Sequence, residues 1–463
     1  MKYLLNLGLI CLSLASSAQA INASLYDTDR LSPTFHEGRR AAFRAKMPAN
    51  SVAIFFANPE RQRNNDTDFQ YAQNPNLYYV TGYTEPNALL IITKEEVELN
   101  GITSHEFFFA QDRNPSMEVW TGRRLGKEGV EQQLKLATVF TGKDFKNFSL
   151  DFGKFDKVLG EYPSGVAENP YESASLSNLI VQCKNKLKDK ELDGRSFLKI
   201  MADLRAIKQP EELVLLQKAI DISCLGHLEV MKYIEPNAYE FQAQSVMEYV
   251  FKNNGSEYIG YPSICGGAEN ACILHYITNR RKLQANDIYL TDCAAEYHGY
   301  TADITRTMPV GGKFSPAQKQ IYELVLAAQE AGFKACQPGK HFYGVHQAAY
   351  DVIAKGLVEL GITKSTAEAF RYFNHGTSHF LGLDVHDMGD TRSNLQAGHL
   401  LTVEPGIYIP ANSPCDTKWW NIGVRIEDDV LITTDGHKVL SLAAPRSVAD
   451  IEKIMAERSA LNK

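Results

Sequence analysis

The feature that most constrains this chain is a set of acidic residues placed within apolar, strand-like runs. Asp292, Glu404 and Glu427 each lie inside or at the end of such a run. Acidic side chains are rarely buried unless they are paired. Carboxylates that are buried close together repel one another until a cation or protons neutralise them. A fold that brings these strands together must therefore supply positive charge, and a shared cation is the simplest source.

A fourth acid, Asp303, joins this group through a hairpin predicted over residues 288–307. A turn at residues 298–299 pairs Asp292 with Thr305 and makes Asp303 the diagonal neighbour of Asp292 on the same face. A turn one residue earlier places the two aspartates directly opposite each other. In both registers the two carboxylates lie close together on one face of the hairpin.

Ordinary ion pairs are the alternative explanation for these acids. Asp303 can pair with Arg306 at the surface, and Glu427 can pair with Arg425, which shares its face of the strand by the period of two. A single buried acid is usually explained in this way. Three acidic segments in one region favour a common cation instead.

Four histidines supply further candidate groups. His375, His379 and His386 fall within twelve residues, in a run predicted to be strand-like, and His275 ends the apolar run 271–274. Each histidine taken alone can also be a packed core residue. The glycine after His375 argues against a helical zinc motif, and the chain has no His-Glu-x-x-His sequence.

These segments resemble the pita-bread metallopeptidases, and in particular their aminopeptidase P (Xaa-Pro aminopeptidase) branch. The catalytic part of the resemblance lies in HGTSHFLGLDVHDMG, LTVEPGIYI and VRIEDDVLIT. NNDTDFQYAQNPNLYYVTGYTEPNA and MEVWTGRRLG extend it into the first half of the chain. The resemblance thins between about residues 145 and 195. Cys293 departs from the small alanine that is common in the family and places a thiol beside the site.

The resemblance implies a centre with two divalent metal ions. The five ligands of the family fall on Asp292, Asp303, His379, Glu404 and Glu427, with Asp303 and Glu427 bridging the ions. Four carboxylates and one imidazole suit Mn²⁺, and the four positive charges of two ions balance the carboxylates. A bridging water would lose a proton and become the nucleophile.

The resemblance also assigns the catalytic histidines to His275, His375 and His386. His386 and His275 would hydrogen-bond the carbonyl oxygen as it gains charge. His375 would position the proline side of the substrate. Glu404, besides binding metal, would carry the proton of the nucleophile.

Four further residues receive roles by the same resemblance. Arg425 and Tyr408 would orient the acidic ligands. Asp66 would face the amino end of the substrate, and Trp120 would reach toward the site of a neighbouring subunit. We therefore expect a homo-oligomer, either a dimer or a tetramer.

The expected fold class is α/β (α+β), with a creatinase-like N-terminal domain over residues 21–195 and a pita-bread catalytic domain over residues 196–463. In the first domain, strands are predicted at 51–57, 77–81, 88–93 and 106–110, and a helix around 34–46. In the second, helices are predicted to begin after Gln209, after Ser315 and at about Tyr343.

The activity implied is removal of the N-terminal residue from peptides with proline in the second position. The Xaa-Pro bond is a tertiary amide without N–H. Three alternatives remain open: a prolidase or an organophosphate-hydrolysing relative, a metal-free binding pseudoenzyme on the same fold, and a creatinase-like hydrolase, which lacks the metal ligand set. Comparing activity on tripeptides with activity on dipeptides distinguishes an aminopeptidase from a prolidase. Metal content distinguishes it from the pseudoenzyme and from the creatinase-like hydrolase.

The first twenty residues have the layout of a secretory signal, with Lys2, an apolar stretch over residues 4–15 and a final Ala18-Gln19-Ala20. We expect cleavage after Ala20 and a periplasmic or secreted product that is not held in a membrane. Seven cysteines would remain, and one disulfide stays possible. The net charge of −7, with no basic stripe, argues against a nucleic-acid partner.

Overall fold

The computed structural model describes residues 27–99, 101–168 and 174–462, so the predicted signal peptide lies outside the described residues. Leu31–Lys463 form one compact unit. The helices are α1 Pro33–Lys46, α2 Pro75–Thr81, α3 Pro115–Thr121, α4 Gly126–Gly129, α5 Leu176–Leu187, α6 Gly194–Arg205, α7 Pro210–Tyr233, α8 Glu240–Asn253, α9 Pro316–Ala335, α10 Tyr343–Glu359 and α11 Val448–Met455.

The strands are β1 Ser51–Phe56, β2 Gln62–Asn64, β3 Thr67–Asp68, β4 Leu89–Leu99, β5 Ile102–Ala110, β6 Val139–Thr141, β7 Lys157–Gly160, β8 Tyr258–Ile259, β9 Ile264–Gly267, β10 Ile288–Asp292, β11 Ala295–Tyr297, β12 Tyr300–Thr301, β13 Thr305–Pro309, β14 Leu400–Val403, β15 Gly406–Ile409, β16 Ile422–Arg425, β17 Asp428–Ile432 and β18 His437–Val439. None of the described helices has the length and apolar character needed to cross a bilayer.

The first half of the chain is built on a five-stranded sheet in the order β6-β5-β4-β1-β7. Strand β1, which lies between β4 and β7, is buried along its whole length, because apolar clusters cover both faces of the sheet. The predicted strands at 51–57, 88–93 and 106–110 and the predicted helix around 34–46 are confirmed.

The predicted strand at 77–81 is wrong, because these residues form most of helix α2. Asn74 caps the helix by accepting a hydrogen bond from the backbone of Asn76, Pro75 is the first helical residue, and Gly82 ends the helix at φ +72°. The apolar run is buried from Leu77 onward, so it has no alternation to distinguish a strand from a short core helix.

Helix α6 connects the two halves of the chain and begins at the predicted domain boundary. The ring of Phe197 in α6 packs against Phe43 at 5.8 Å and against Phe55 at 4.8 Å, measured between ring centroids. The start of the predicted second domain is therefore packed on the first. The boundary between residues 195 and 196 stays a prediction.

The second half consists of small antiparallel sheets enclosed by long helices. The predicted helix starts are confirmed: Pro210 opens α7, and the side chain of Ser315 caps α9 by accepting from the backbone of Gln318. In the hairpin, Asp292 lies opposite Thr305, which is the first of the two predicted registers. The seven cysteines of the described residues are free thiols.

Candidate active site

The four acidic candidates share one structural position, the point at which a strand ends or is interrupted. Asp292 is the last residue of β10, and Asp303 lies between β12 and β13. Glu404 separates β14 from β15, and Glu427 separates β16 from β17. Each of these strands is paired with at least one neighbour, so ladder hydrogen bonds hold the backbone that carries each acid.

Three of the predicted ligands form a compact group. One ligand atom each from Asp303, His379 and Glu427 lie within 4.8 Å of one another. Nε2 of His379 is 3.3 Å from Oδ2 of Asp303 and 3.5 Å from Oε1 of Glu404. The acids and the imidazole predicted from separate segments therefore meet at one place.

Asp292 is held beside this group by two donors. The Arg425 guanidinium donates to Oδ2 of Asp292 at 2.6 Å, and the Tyr261 hydroxyl donates to Oδ1 at 2.6 Å. Arg425 is thus the ion-pair partner of Asp292, and the alternative in which it neutralises Glu427 is wrong. Glu427 instead accepts a hydrogen bond from the Thr305 hydroxyl at 2.7 Å.

The surface pairing of Asp303 with Arg306 is also wrong. Arg306 is fully buried and donates to Asp428 at 2.7 Å. The backbone N–H of Asp303 donates to the carboxyl group of Asp429. The Asp303 side chain is left facing His379, where it is available to a cation.

The buried acids are short of positive charge. Burial raises the pKa of Glu427 well above its ordinary value and that of Glu404 to about 7, and it also raises the pKa of Asp292. Arg425 is the guanidinium within this group. Oxygen donors that hold protons for lack of counter-charge, together with one imidazole, fit hard divalent cations.

The protonation of His379 follows from the same surroundings. Burial alone would lower its pKa, but the hydrogen bond with Asp303 and the charges of Glu404 and Asp303 outweigh burial and raise the pKa to about 9. Both ring nitrogens of His379 are therefore protonated at pH 7 in the metal-free protein, and the ring carries a positive charge. One of these protons must leave before His379 can bind a metal ion.

His275 and His386 lie at the open side of the site. Both side chains are exposed, which excludes the packed-core explanation for either. The ring of His386 stands edge-on to that of His379, with the centroids 4.3 Å apart. Residues 381–386 form an irregular loop, so the strand-like run predicted between His379 and His386 is wrong.

His375 is fixed by a chain of hydrogen bonds that begins at Asp292. Arg425 donates to the Tyr408 hydroxyl at 3.0 Å, and Tyr408 lies 2.9 Å from Nε2 of His375. Nδ1 of His375 donates to the carbonyl of Gly376 at 2.7 Å. Burial, followed by the charge of Arg425, lowers the pKa of His375 to about 3. The ring is therefore neutral, and Nε2 accepts from Tyr408.

These groups line one cavity of about 590 Å³. Nine of the predicted residues face it; Tyr408 lies behind them, and Asp66 and Trp120 are exposed elsewhere. The lining residues from the predicted set are His275, Asp292, Asp303, His375, His379, His386, Glu404, Arg425 and Glu427.

The structure adds a buried ion cluster that the sequence analysis missed. Asp387, the residue after His386, forms ion pairs with Arg205 and with Lys208, all three being nearly inaccessible to solvent. Burial alone would raise the pKa of Asp387, but the charges of Arg205 and Lys208 outweigh it and lower the pKa. Tyr261 was also missed. No local signal marks these contacts, because their partners are distant in sequence.

Comparison with known proteins identifies this arrangement. Residues 214–434 match the family described as metallopeptidase family M24, and residues 36–156 match the aminopeptidase P N-terminal domain. The chain is 37% identical to the Xaa-Pro aminopeptidase of Haemophilus influenzae, over 90% of this chain and 96% of that one. It is 33% identical to the Xaa-Pro aminopeptidase of Escherichia coli, again over 90% and 96% of the two chains.

Solved structures agree with the sequence relatives. Proline aminopeptidase P II from Yersinia pestis superposes with a TM-score of 0.81 at 34% identity, over 92% of this chain and all of that one (100%). Zinc-substituted aminopeptidase P from Escherichia coli in complex with product gives a TM-score of 0.82 at 31% identity, over 92% and 99% of the two chains. The chain belongs to metallopeptidase family M24, in its Xaa-Pro aminopeptidase branch, and is a metal-dependent exopeptidase.

Proposed function

We propose that this enzyme removes the N-terminal residue from peptides that carry proline in the second position. The observation that supports this most directly is the single cavity in which the five predicted ligands meet the three predicted catalytic histidines. The relatives named Xaa-Pro aminopeptidase, which match along nearly the whole chain, support the same substrate class.

We propose further that the cluster binds two divalent ions and that manganese is the ion used. Asp303 and Glu427 would be shared between the ions, Asp292 would hold one of them, and His379 with Glu404 the other. When bound, such ions lower the pKa of water and polarise a carbonyl group. The excess of buried carboxyl groups over cationic side chains supports this assignment.

Glu404 is the residue we assign to proton transfer. Its side chain is 16% exposed and faces the cavity beside the other predicted ligands. It would accept a proton from the attacking water and return it to the proline nitrogen. This return is needed because the proline nitrogen can leave as an amine only after it has gained a proton.

His386 and His275 are assigned to the carbonyl oxygen. Both line the cavity beside the ligand cluster. Partial burial of the ring, followed by the charge of His379, lowers the pKa of His386, and a neutral imidazole offers one N–H donor. A donor that meets an oxygen only as that oxygen gains charge lowers the barrier to reaction.

His375 is assigned to the proline side of the substrate by the family resemblance, and its hydrogen bonds are compatible with this role. Both ring nitrogens are already engaged, one by Tyr408 and one by Gly376. What His375 offers to the cavity is therefore the carbon surface of its ring. An apolar surface suits a proline side chain.

The test is activity on matched Xaa-Pro and Xaa-Pro-Yaa peptides after chelation and after return of Mn²⁺. We expect cleavage of the tripeptides, loss of rate on chelation and recovery with two Mn²⁺ bound per chain. Cleavage of dipeptides alone would identify a prolidase. Full activity in the chelated protein would contradict the metal assignment. Where a carboxyl group of the cluster is replaced by an amide, the matched control is Asp435→Asn, at an exposed position away from the cavity.

We also propose a homo-oligomer and export from the cytoplasm. Val119 and Trp120 of α3 are 82% and 83% exposed, and this apolar pair supports contact with a second copy. Light scattering of the wild type and of Trp120→Ala tests the first proposal, and an unchanged monomer in both would contradict it. Sequencing of the mature protein from its host tests the second, with Ile21 expected at the N-terminus and a retained Met1 contradicting export.

A further inference from the structure

A second cavity, of about 760 Å³, adjoins the first. The two share His375, Gly376 and Ser378 in their linings. The two cavities therefore share a wall at residues 375–378, and His375 lines both of them. Nothing in the proposed chemistry uses this second space.

Aromatic side chains line the second cavity. The Phe373 ring lies 5.1 Å from that of His375, and the rings of His346 and Tyr350 lie 5.4 and 6.0 Å from that of Phe373. Tyr343 and Phe370 also line it, and they are 56% and 59% exposed. A series of stacked and edge-on rings therefore leads from His375 outward.

The charge of this lining is low. Among the described residues that form it there is no acid, and its one arginine, Arg392, is paired with Asp390 at 3.0 Å. Apolar surface with neighbouring ring edges favours the burial of aromatic and large aliphatic groups. An acidic side chain would find, among the described residues of this lining, no arginine or lysine that lacks an acidic partner.

The size fits a short piece of peptide. A round cavity of 760 Å³ would be about 11 Å across, and two residues of extended chain span about 7 Å. The residue that follows proline, and the one after it, can therefore lie in this cavity while the scissile bond is at the ligand cluster.

We propose that the second cavity binds the third and fourth residues of the substrate and that it selects aromatic or large aliphatic side chains there. This inference rests on the proposed function, because it takes the N-terminal residue to lie at the ligand cluster and the proline to lie against His375. It makes Tyr343 and Phe370 specificity-determining residues for peptides of three or more residues.

The experiment compares Ala-Pro-Phe-Phe with Ala-Pro-Gly-Gly as substrates of the manganese-loaded enzyme. We expect the ratio of their kcat/KM values to be about ten in the wild type, as for an apolar pocket. In the double variant Tyr343→Ala, Phe370→Ala the ratio should fall to about one. Tyr249→Ala, which removes a tyrosine that is 54% exposed on α8, is the matched control and should keep the wild-type ratio.

The outcomes separate the two proposals. A wild-type ratio near one, or a double variant with the wild-type ratio, overturns the assignment of this cavity even though both peptides are cleaved. Failure of the wild type to cleave either peptide overturns the proposed function, and the cavity assignment with it. The melting temperature of the double variant should match that of the control, because both changes are at exposed positions.

Discussion

Binding of metal ions at pH 7 should release about two protons per chain, because the empty ligand cluster holds protons that the ions must displace. His379, with a pKa of about 9, carries a proton at this pH. We expect Glu427 to hold another, since burial raises its pKa well above the ordinary value. Glu404, with a pKa of about 7, adds a fraction of a third.

The expected size of the effect follows from these values. Removing the proton of His379 at pH 7, about two pH units below its pKa, costs about 2.7 kcal/mol. The release of two protons makes the binding constant rise about a hundredfold per pH unit. Affinity for the ions should therefore strengthen steeply between pH 6 and pH 8.

Titration calorimetry measures the proton count directly. Mn²⁺ is added to the chelated protein in two buffers of different ionisation enthalpy, and the difference in observed heat gives the number of protons released. At saturating Mn²⁺, where the metal occupancy of the variant is restored, Glu427→Gln should release about one fewer proton per chain, whereas the exposed control Asp435→Asn should match the wild type. Release of less than one proton by the wild type, or an unchanged count in Glu427→Gln, would refute this account of the empty site.

The remaining predictions concern single residues of the cluster. Glu427→Gln should abolish peptidase activity and lower metal content, measured by assay and elemental analysis; near-normal turnover with full metal would contradict its bridging role. His386→Ala should keep both ions and lower kcat by about 10²–10³, whereas His379→Ala should lose metal as well. The chelated protein should become less stable as pH rises from 7 to 9, and His379 should contribute up to about 3 kcal/mol of this loss. The pKa of His379 in the folded protein, about 9, exceeds the unfolded value of about 6.5. The stability that protonated His379 contributes is therefore fully present below pH 6.5 and is lost as pH rises through 9. Denaturant unfolding at three pH values checks this, and a rise in stability would contradict it.

Sequence rules that use only neighbouring residues were sufficient to predict contacts that lie within one helix, one strand or one turn. The hairpin was predicted with two possible registers, and the structure has the one that turns at His298 and Gly299, which take φ values of +50° and +87°. The cap of α9 followed from Ser315, and the start of α7 from Pro210. The same rules failed at 77–81, where a run without alternation gave no period to interpret.

Contacts between distant segments could not be predicted in this way. Same-strand spacing suggested Glu427 as the partner of Arg425, but its partner is Asp292, at a sequence separation of 133 residues. The error arose because period-two reasoning compares neighbours along one strand. Here β10 and β16 lie against each other in the fold, and this packing decides which carboxylate the guanidinium meets. The family resemblance identified the candidate residues but not these pairings.

The cluster around Asp387 shows what such distant contacts contribute to the site. A buried ion cluster is weak support for stability, since desolvation of the charges offsets much of their attraction. Its geometry is more informative: Arg205 also donates to Asn76 at the start of α2, at 2.8 Å, and Lys208 donates to Asp387 at 2.9 Å. Asp387 is thereby fixed to the segment between the two halves of the chain and, through Arg205, to the first half. Because His386 precedes Asp387 directly, the position of this proposed donor to the substrate carbonyl is set by residues that never enter the cavity.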